Sequence, residues 1–224
     1  MISIIVPAYN EEKKINKCLN GLNLLDGDKE IIVCDGGSTD DTVRLASSYS
    51  KVINTKKGRA WQMNAGADEA VGDILWFVHS DSVVSPKSLE CINNAIKSGY
   101  DAGCFSLFFH DYDDVSLKLL AWTSNLRAKY LKLMFGDQGI FMTRKAFNRV
   151  GGYDEIPLME DWNMSKALYK KYKVKVLKNK IGTSGRRFKE GGVLKTLLFM
   201  HKIKLKYISG TSPEELSKMY REVR

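Results

Sequence analysis

The chain opens on the apolar run Ile2-Ser3-Ile4-Ile5-Val6, and similar runs return over Glu30 to Cys34, Lys51 to Asn54 and Asp73 to Val78. Each is short and carries β-branched or other apolar residues, the pattern of a strand. Between them the apolar residues fall at helical spacing, over Glu11 to Leu22, Asp40 to Ser48, Arg59 to Val71 and Pro86 to Lys97. Pro86 suits the first turn of its helix, where the missing N–H leaves no bond unmade. Strands alternating with helices predict an α/β fold with parallel strands joined by crossover helices.

In open sheets of this kind, ligands bind beyond the carboxyl ends of the strands. The first strand runs into Pro7-Ala8-Tyr9-Asn10-Glu11-Glu12, the second into Asp35-Gly36-Gly37-Ser38-Thr39-Asp40-Asp41 and the fourth into His79-Ser80-Asp81-Ser82. Three polar loops therefore converge on one edge. No Gly-x-Gly-x-x-Gly or Gly-Lys-Ser loop stands at these turns, which weakens dinucleotide and NTPase readings.

At 224 residues the chain is long enough for one sizeable domain. Its 44% hydrophobic and 27% charged content excludes a disordered or fibrous class. The net charge of +9 is uneven: residues 166–224 hold 17 Lys/Arg against 4 Asp/Glu, leaving 18 against 22 before them. Charge alone does not choose among nucleic acid, anionic lipid, a phosphorylated substrate and a merely solvated face. Apolar runs such as Ile74 to Val78 are far short of the roughly 20 residues of a membrane span. The start reads as a strand and not a signal peptide, so a cytoplasmic location is expected. Cys18, Cys34, Cys91 and Cys104 lie far apart without zinc-site spacing and are expected as reduced packing residues.

Asp35, at the end of a buried strand, needs hydrogen-bond partners. A nucleotide base or ribose supplies them, or else the segment is a simple turn with Ser38 or Thr39 as helix cap. Asp81 suits a hard divalent ion, Mg2+ or Mn2+, which takes one or two carboxylates and completes its shell with phosphate oxygens and water. His79 either joins it, contacts a diphosphate, or is structural. Glu160 and Asp161 start a helical pattern through Met164, Leu168 and Tyr172, where acidic residues gain from the helix's positive end. A carboxylate there could also serve as general base. Gly136-Asp137-Gln138-Gly139 forms a tight turn before a strand over Ile140 to Met142 and is a candidate acceptor-side loop.

The order Val6-Pro7-Ala8-Tyr9-Asn10-Glu11, Asp35-Gly36-Gly37-Ser38-Thr39-Asp40, His79-x-Asp81 and Glu160-Asp161 resembles the family 2 glycosyltransferases with the GT-A fold, over about residues 2–172. The resemblance implies a mixed, mostly parallel central sheet flanked by helices, with basic helices at the C-terminus. It implies one domain, with a nucleotide-binding half (1–100), an acceptor half (101–185) and a basic helical tail (186–224). It implies transfer of a sugar from a nucleoside diphosphate donor, UDP-linked, to an acceptor hydroxyl, with inversion. Pro7, Ala8, Tyr9 and Glu11 match the loop that holds base and ribose, and Asp35 the base-binding aspartate. Asp81 matches the second aspartate of Asp-x-Asp, facing metal and diphosphate, and Asp161 the catalytic base. His79 departs from the first aspartate of that motif. The Gln-x-x-Arg-Trp motif of processive synthases is absent, with only a partial echo in Gly185-Arg186-Arg187-Phe188, so processive polymerisation is not expected. Gly58-Arg59-Ala60, Gln62-Met63-Asn64, His79-x-Asp81, Gly136-Asp137-Gln138-Gly139 and Pro157-Leu158-Met159-Glu160-Asp161 are similar to a small single-domain subgroup. In that setting Gly58, Arg59, Gln62 and Ser80 join the donor site, with Arg59 offsetting charge on the leaving diphosphate. Rival readings are a nucleotidyltransferase, which wants a basic Gly-rich first loop, and a non-catalytic nucleotide- or lipid-binding module.

Leu194, Leu197, Leu198, His201, Leu205 and Ile208 recur at helical spacing among Lys195, Lys202, Lys204 and Lys206. Such a helix either lies in a membrane interface or packs its stripe on the core, and base rates favour the core. The stretch Leu117 to Phe135 has basic but no acidic residues. Together they make an anionic membrane surface, a lipid-linked acceptor and a peripheral site at the inner membrane face the expected partners and place, with no nucleic acid. His201 is a further candidate to close over the metal.

Overall fold

The computed structural model describes residues 1–222, so Val223 and Arg224, the end of the expected basic tail, lie outside the described residues. Among the described residues one eight-stranded sheet has the order β3-β2-β1-β4-β7-β6-β8-β5. Its strands are β1 (Ile2–Ala8), β2 (Lys29–Asp35), β3 (Lys51–Asn54), β4 (Ile74–Phe77), β5 (Val83–Val84), β6 (Ala102–Phe109), β7 (Phe141–Thr143) and β8 (Val174–Thr183). β1 pairs in parallel with β2 and β4, as β2 does with β3 and β6 with β8. β7 runs antiparallel between β4 and β6, and β5 antiparallel along β8.

The four expected strands all form: β1, β2 and β4 bury their apolar residues on both faces, and β3, at the sheet edge, packs Val52 and Ile53 partly buried on opposite faces. Ile2, Ile4, Val6 and Ala8 of β1 pack with Ile15, Cys18, Leu19 and Leu22 of α1 (Ile15–Asn23) and with Leu89 and Ile92 of α4 (Ser88–Lys97). On the other face Ile5, Ile32 and Leu75 meet Ala60, Met63 and Ala67 of α3 (Arg59–Glu69) and Met164 and Leu168 of α7 (Glu160–Lys171). Cys18, Cys34 and Cys104 are buried, and all four cysteines are free.

Local expectations fail at three places. α4 starts at Ser88, so Pro86 lies in the turn before it and not in its first turn. α2 (Thr42–Ala46) starts after Asp41, because Ser38 is engaged with Asp35 and the chain turns again before the helix forms. The third lies in the C-terminal segment, which forms α8 (Arg186–Gly191), α9 (Val193–Ile208) and α10 (Pro213–Glu222). α9 packs through Phe199, Ile203 and Tyr207 against a cluster with Leu158, Met159, Trp162 and Leu216. Leu194, Leu198, Leu205 and Ile208 are instead 62–68% exposed. The helix has two apolar faces, and the one carrying aromatic rings, complementary to Phe135 and Trp162, takes the core.

Candidate active site

The loops beyond β1 and β2 are bound to each other. The Asn10 N–H donates to Ser38 Oγ at 2.9 Å, and the Thr39 N–H returns a bond to Asn10 Oδ1 at 2.9 Å. The Glu11 N–H donates to Thr42 Oγ1 at 2.7 Å, and the Glu12 N–H to Asp40 Oδ2 at 3.2 Å. Asn10 reaches this position with φ of 53°, a left-handed conformation asparagine tolerates better than most residues. Asp35 is 2% exposed, and its Oδ2 accepts the N–H groups of Gly37 and Ser38 at 2.9 and 2.8 Å while Oδ1 accepts the Ser38 hydroxyl at 2.5 Å. Its burial is therefore satisfied within the turn. Pro7 and Ala8 close β1, and Tyr9 follows with the Lys57 ammonium 3.6 Å from its ring centroid.

Gln62, expected at the donor, sends its amide N–H groups inward to the carbonyls of Ala8 and Cys34 at 2.7 and 2.8 Å. It ties the ends of β1 and β2 together. Gln138 is likewise turned into the protein, where Oε1 accepts from Arg127 at 3.1 Å and Nε2 donates to the Phe105 carbonyl at 3.4 Å.

Beyond β4, Asp81 Oδ2 lies 3.4 Å from Lys14 Nζ, which is also 4.0 Å from Glu11 Oε2. His110 Nε2 is 3.3 Å from the Asp81 carbonyl oxygen. Lys14, Asp81 and His110, with Lys13, Lys17, Asp111 and Ser184, line a cleft of about 190 Å3. Among the described residues no three His, Cys, Asp or Glu side chains group to hold a metal ion. The lone carboxylate of Asp81 thus fits a hard divalent ion only as one ligand beside phosphate oxygens and water. Burial and then the Arg59 guanidinium hold the His79 imidazole below its usual value, against the carboxylates of Asp81, Asp137 and Asp161.

The remaining charges form one buried group. Gly58 has φ of 136°, and a methyl there would lie 2.2 Å from Trp61, so only glycine launches α3 in this way. Arg59, the first residue of α3, bonds through Nε to Glu160 Oε1 at 2.8 Å, and the Glu160 side chain is 2% exposed. Burial raises the Glu160 carboxyl above the usual range while Arg59 opposes it, and Glu160 in turn raises Arg59. Glu160 follows Met159, whose φ of 74° is left-handed for a side chain that prefers other conformations. Packing of Met159 into the cluster around Trp162 holds that bend.

Asp161 Oδ2 accepts the Gly136 N–H at 3.0 Å, and Oδ1 accepts the Trp162 N–H at 2.8 Å. The 3-10 turn Gly136–Gln138 ends in Gly139 with φ of 59°. A methyl on Gly136 would meet His79 Nε2 at 2.7 Å and Asp161 Oδ2 at 3.8 Å, so glycine lets the turn touch both. Burial raises the neighbouring Asp137 carboxyl, opposed chiefly by Arg127 and His79.

The structure thus gathers Arg59, His79, Gly136, Asp137, Glu160 and Asp161, while Asp81 faces the adjoining lysine-lined cleft. Lys14, His110 and Lys204 were not picked out for this site from the sequence. Lys204 of α9 stands 4.9 Å over the Phe135 ring, and burial and Arg127 push it down to about 8 while Asp137 and Asp161 oppose. The basic run Lys13-Lys14 could have flagged the first; nothing local marks the other two. His201 is exposed on the outer side of α9, its ring bonded to the Leu197 carbonyl at 2.8 Å.

A sheet with this switch of direction and its polar loops beyond β1, β2 and β4 defines a GT-A nucleotide-sugar transferase fold. TarS from Staphylococcus aureus shares it with a TM-score of 0.69 and 21% identity, over 82% of this chain and 36% of that one. A mannosyltransferase from Pyrobaculum calidifontis in complex with GDP-Man and Mn2+ shares it at 0.66 and 17% identity, over 97% and 67%. Residues 3–152 match the Glycosyl transferase family 2 model, and the chain belongs to that family. It is 30% identical over 153 residues to an uncharacterized glycosyltransferase of Haemophilus influenzae, covering 64% of this chain and 60% of that protein. The chain therefore spans well under two thirds of the length of TarS and somewhat less than two thirds of the Haemophilus relative. A PGL/p-HBAD biosynthesis glycosyltransferase of Mycobacterium bovis is 27% identical over 180 residues, 74% of this chain and 68% of that one.

Proposed function

We propose that the protein transfers a glycosyl group from a UDP-sugar to an acceptor hydroxyl with inversion. The observation that carries this reading is the fixed carboxylate of Asp161, anchored at 3.0 Å by the Gly136 N–H beside the pair of buried Glu160 and partly exposed Arg59. Asp161 takes the acceptor proton as the acceptor oxygen bonds to the anomeric carbon. The bond from that carbon to the diphosphate breaks on the opposite side, and the electron pair leaves with the diphosphate. Arg59, 41% exposed and oriented by Glu160, offers its free guanidinium edge to the leaving phosphates. Pro7, Ala8, Tyr9, Glu11 and Asp35 receive the nucleoside, with Gly58, His79 and Ser80 around the diphosphate. Gly136, Asp137, Gln138 and Gly139 shape the acceptor side. Asp81 would hold Mg2+ or Mn2+, which when bound neutralises diphosphate charge.

A UDP donor is supported by TarS, solved in complex with UDP-GlcNAc, which this fold resembles. Lys204 beside the acceptor turn favours an acceptor with an anionic group, and a lipid-phosphate-linked acceptor at the inner membrane face provides one. Calorimetry with UDP, GDP and CMP, each with and without Mn2+, tests the donor half. UDP should bind best and tighten at least about tenfold with Mn2+, equivalent to roughly 1.4 kcal/mol. Asp81→Ala should abolish that gain. Equal binding of the three nucleotides, or an unaltered Mn2+ effect in Asp81→Ala, would overturn the assignment, and UDP binding with no donor turnover would leave a binding module.

A further inference from the structure

α9 turns one apolar face inward and leaves a second uncovered. Leu194, Leu198, Leu205 and Ile208, on one face of the helix with the exposed His201 between Leu198 and Leu205, are 68%, 62%, 64% and 63% exposed. At about 100° per residue, Lys195, Lys202 and Lys206 line one border of that stripe. α5 (Val115–Tyr130) repeats the arrangement. It buries Leu117, Ala121, Ser124 and Ala128 and leaves Leu119, Trp122 and Tyr130 exposed beside Lys129. The two helical segments are tied at two places. Lys189 of α8 pairs with Asp114 at the start of α5, and both Arg127 of α5 and Lys204 of α9 cover the Phe135 ring.

We infer that the outer faces of α5 and α9 are a docking surface for an anionic phospholipid membrane. Chemistry selects this occupant over a second copy. In a symmetric contact through α9, Lys195, Lys202 and Lys206 would meet their own kind, and like charges brought together destabilise. Against acidic headgroups the same lysines gain, while leucines enter the acyl boundary and Trp122 and Tyr130 sit at headgroup level. Lys118 adds little, being paired with Asp113. The inner side of α9 reaches Phe135, which precedes the Gly136 turn bonded to Asp161, so a single helix links the docking face to that carboxylate. The surface deepens the proposal of a lipid-linked acceptor, but its test uses neither donor nor acceptor.

The experiment is flotation of the full chain with vesicles of phosphatidylcholine alone and of phosphatidylcholine with an equal part of phosphatidylglycerol. The protein should float only with the anionic vesicles at low salt, and high salt should weaken it. Leu198→Glu with Leu205→Glu should abolish flotation, with an unchanged circular dichroism spectrum because both positions are exposed. Replacing Lys195, Lys202 and Lys206 by Gln should weaken binding roughly fivefold per lysine. Failure of the wild type to float with anionic vesicles, or undiminished flotation of the double leucine variant, overturns the inference. So does a wild-type dimer that the double variant dissociates without any vesicle binding. Flotation without UDP binding would leave this surface standing and remove the transfer reading; UDP binding without flotation would do the reverse.

Discussion

The two sides of the cleft are held by different physics. The loops after β1 and β2 exchange several neutral or surface bonds through Asn10, Ser38, Asp40 and Thr42, so the loss of one leaves others in place. At the start of α7 Arg59 neutralises Glu160 across a single bond, and Glu160 Oε2 and Asp137 Oδ1 are buried with no hydrogen-bond partner. A buried charge that depends on one partner is costly to orphan. Redundant bonds make a mould for a ligand; concentrated charge makes a place where a proton or a phosphate changes the balance.

The largest expected effect lies on the charged side. Asp161→Asn should lower kcat by about 10³-fold, within the range for loss of a general base. The melting temperature should fall only slightly, since the asparagine oxygen keeps the Gly136 N–H and only the bond from the Trp162 N–H is lost. A variant with kcat near wild type would move the base elsewhere.

Arg59→Met should destabilise the fold by about 3 kcal/mol near neutral pH in urea unfolding, because it strands Glu160. Burial already raises the Glu160 carboxyl in the folded state, so the folded protein takes up that proton more readily than the unfolded chain. Stability from this group is present at low pH and falls as pH rises through the folded value; the loss of Arg59 raises that value further. The deficit should therefore be larger near about pH 8 than near about pH 5. A deficit independent of pH would contradict the contrast drawn above.

Gln62→Leu probes the scaffold. Leaving the Ala8 and Cys34 carbonyls unpaired should cost about 2 kcal/mol with no such pH dependence. A pH-dependent loss would tie Gln62 to the charge cluster after all.

The smallest effect belongs to Lys204, whose ammonium is pushed down to about 8. It loses its charge as pH rises through that value, so KM for an anionic acceptor should rise a few-fold above about pH 8, and Lys204→Met should flatten the profile. An unchanged profile in the variant would remove Lys204 from the acceptor side.

Much of this molecule was legible in its sequence. The first four strands could be read because β1, β2 and β4 are buried on both faces as nearly unbroken apolar runs, while β3 carries the apolar pair Val52 and Ile53. The polar residues at strand ends were legible as a group, since a buried sheet releases such residues only at its edge. Their separate duties were not. Gln62 resembles a ligand contact in sequence, yet its amide is fixed by carbonyls 54 and 28 residues away. Asp35 needs hydrogen-bond partners, which a nucleotide or its own turn could supply, and the turn supplies them.

The sequence by itself determined the first four strands, the helices between them and which polar side chains stand at the ends of β1, β2 and β4, because apolar periodicity and turn chemistry are local. Only the tertiary structure decided that Lys14 would face Asp81, that Lys204 would stand over the Phe135 ring beside the Gly136 turn, and which face of α9 would remain in the open. Those outcomes depend on long-range packing between surfaces of similar hydrophobicity. Trp162 makes an edge contact with the Tyr207 ring at 6.5 Å between centroids, and the Tyr207 hydroxyl donates to Asn163 at 2.8 Å. Shape and hydrogen bonding chose between two apolar stripes that hydrophobicity alone leaves nearly equal.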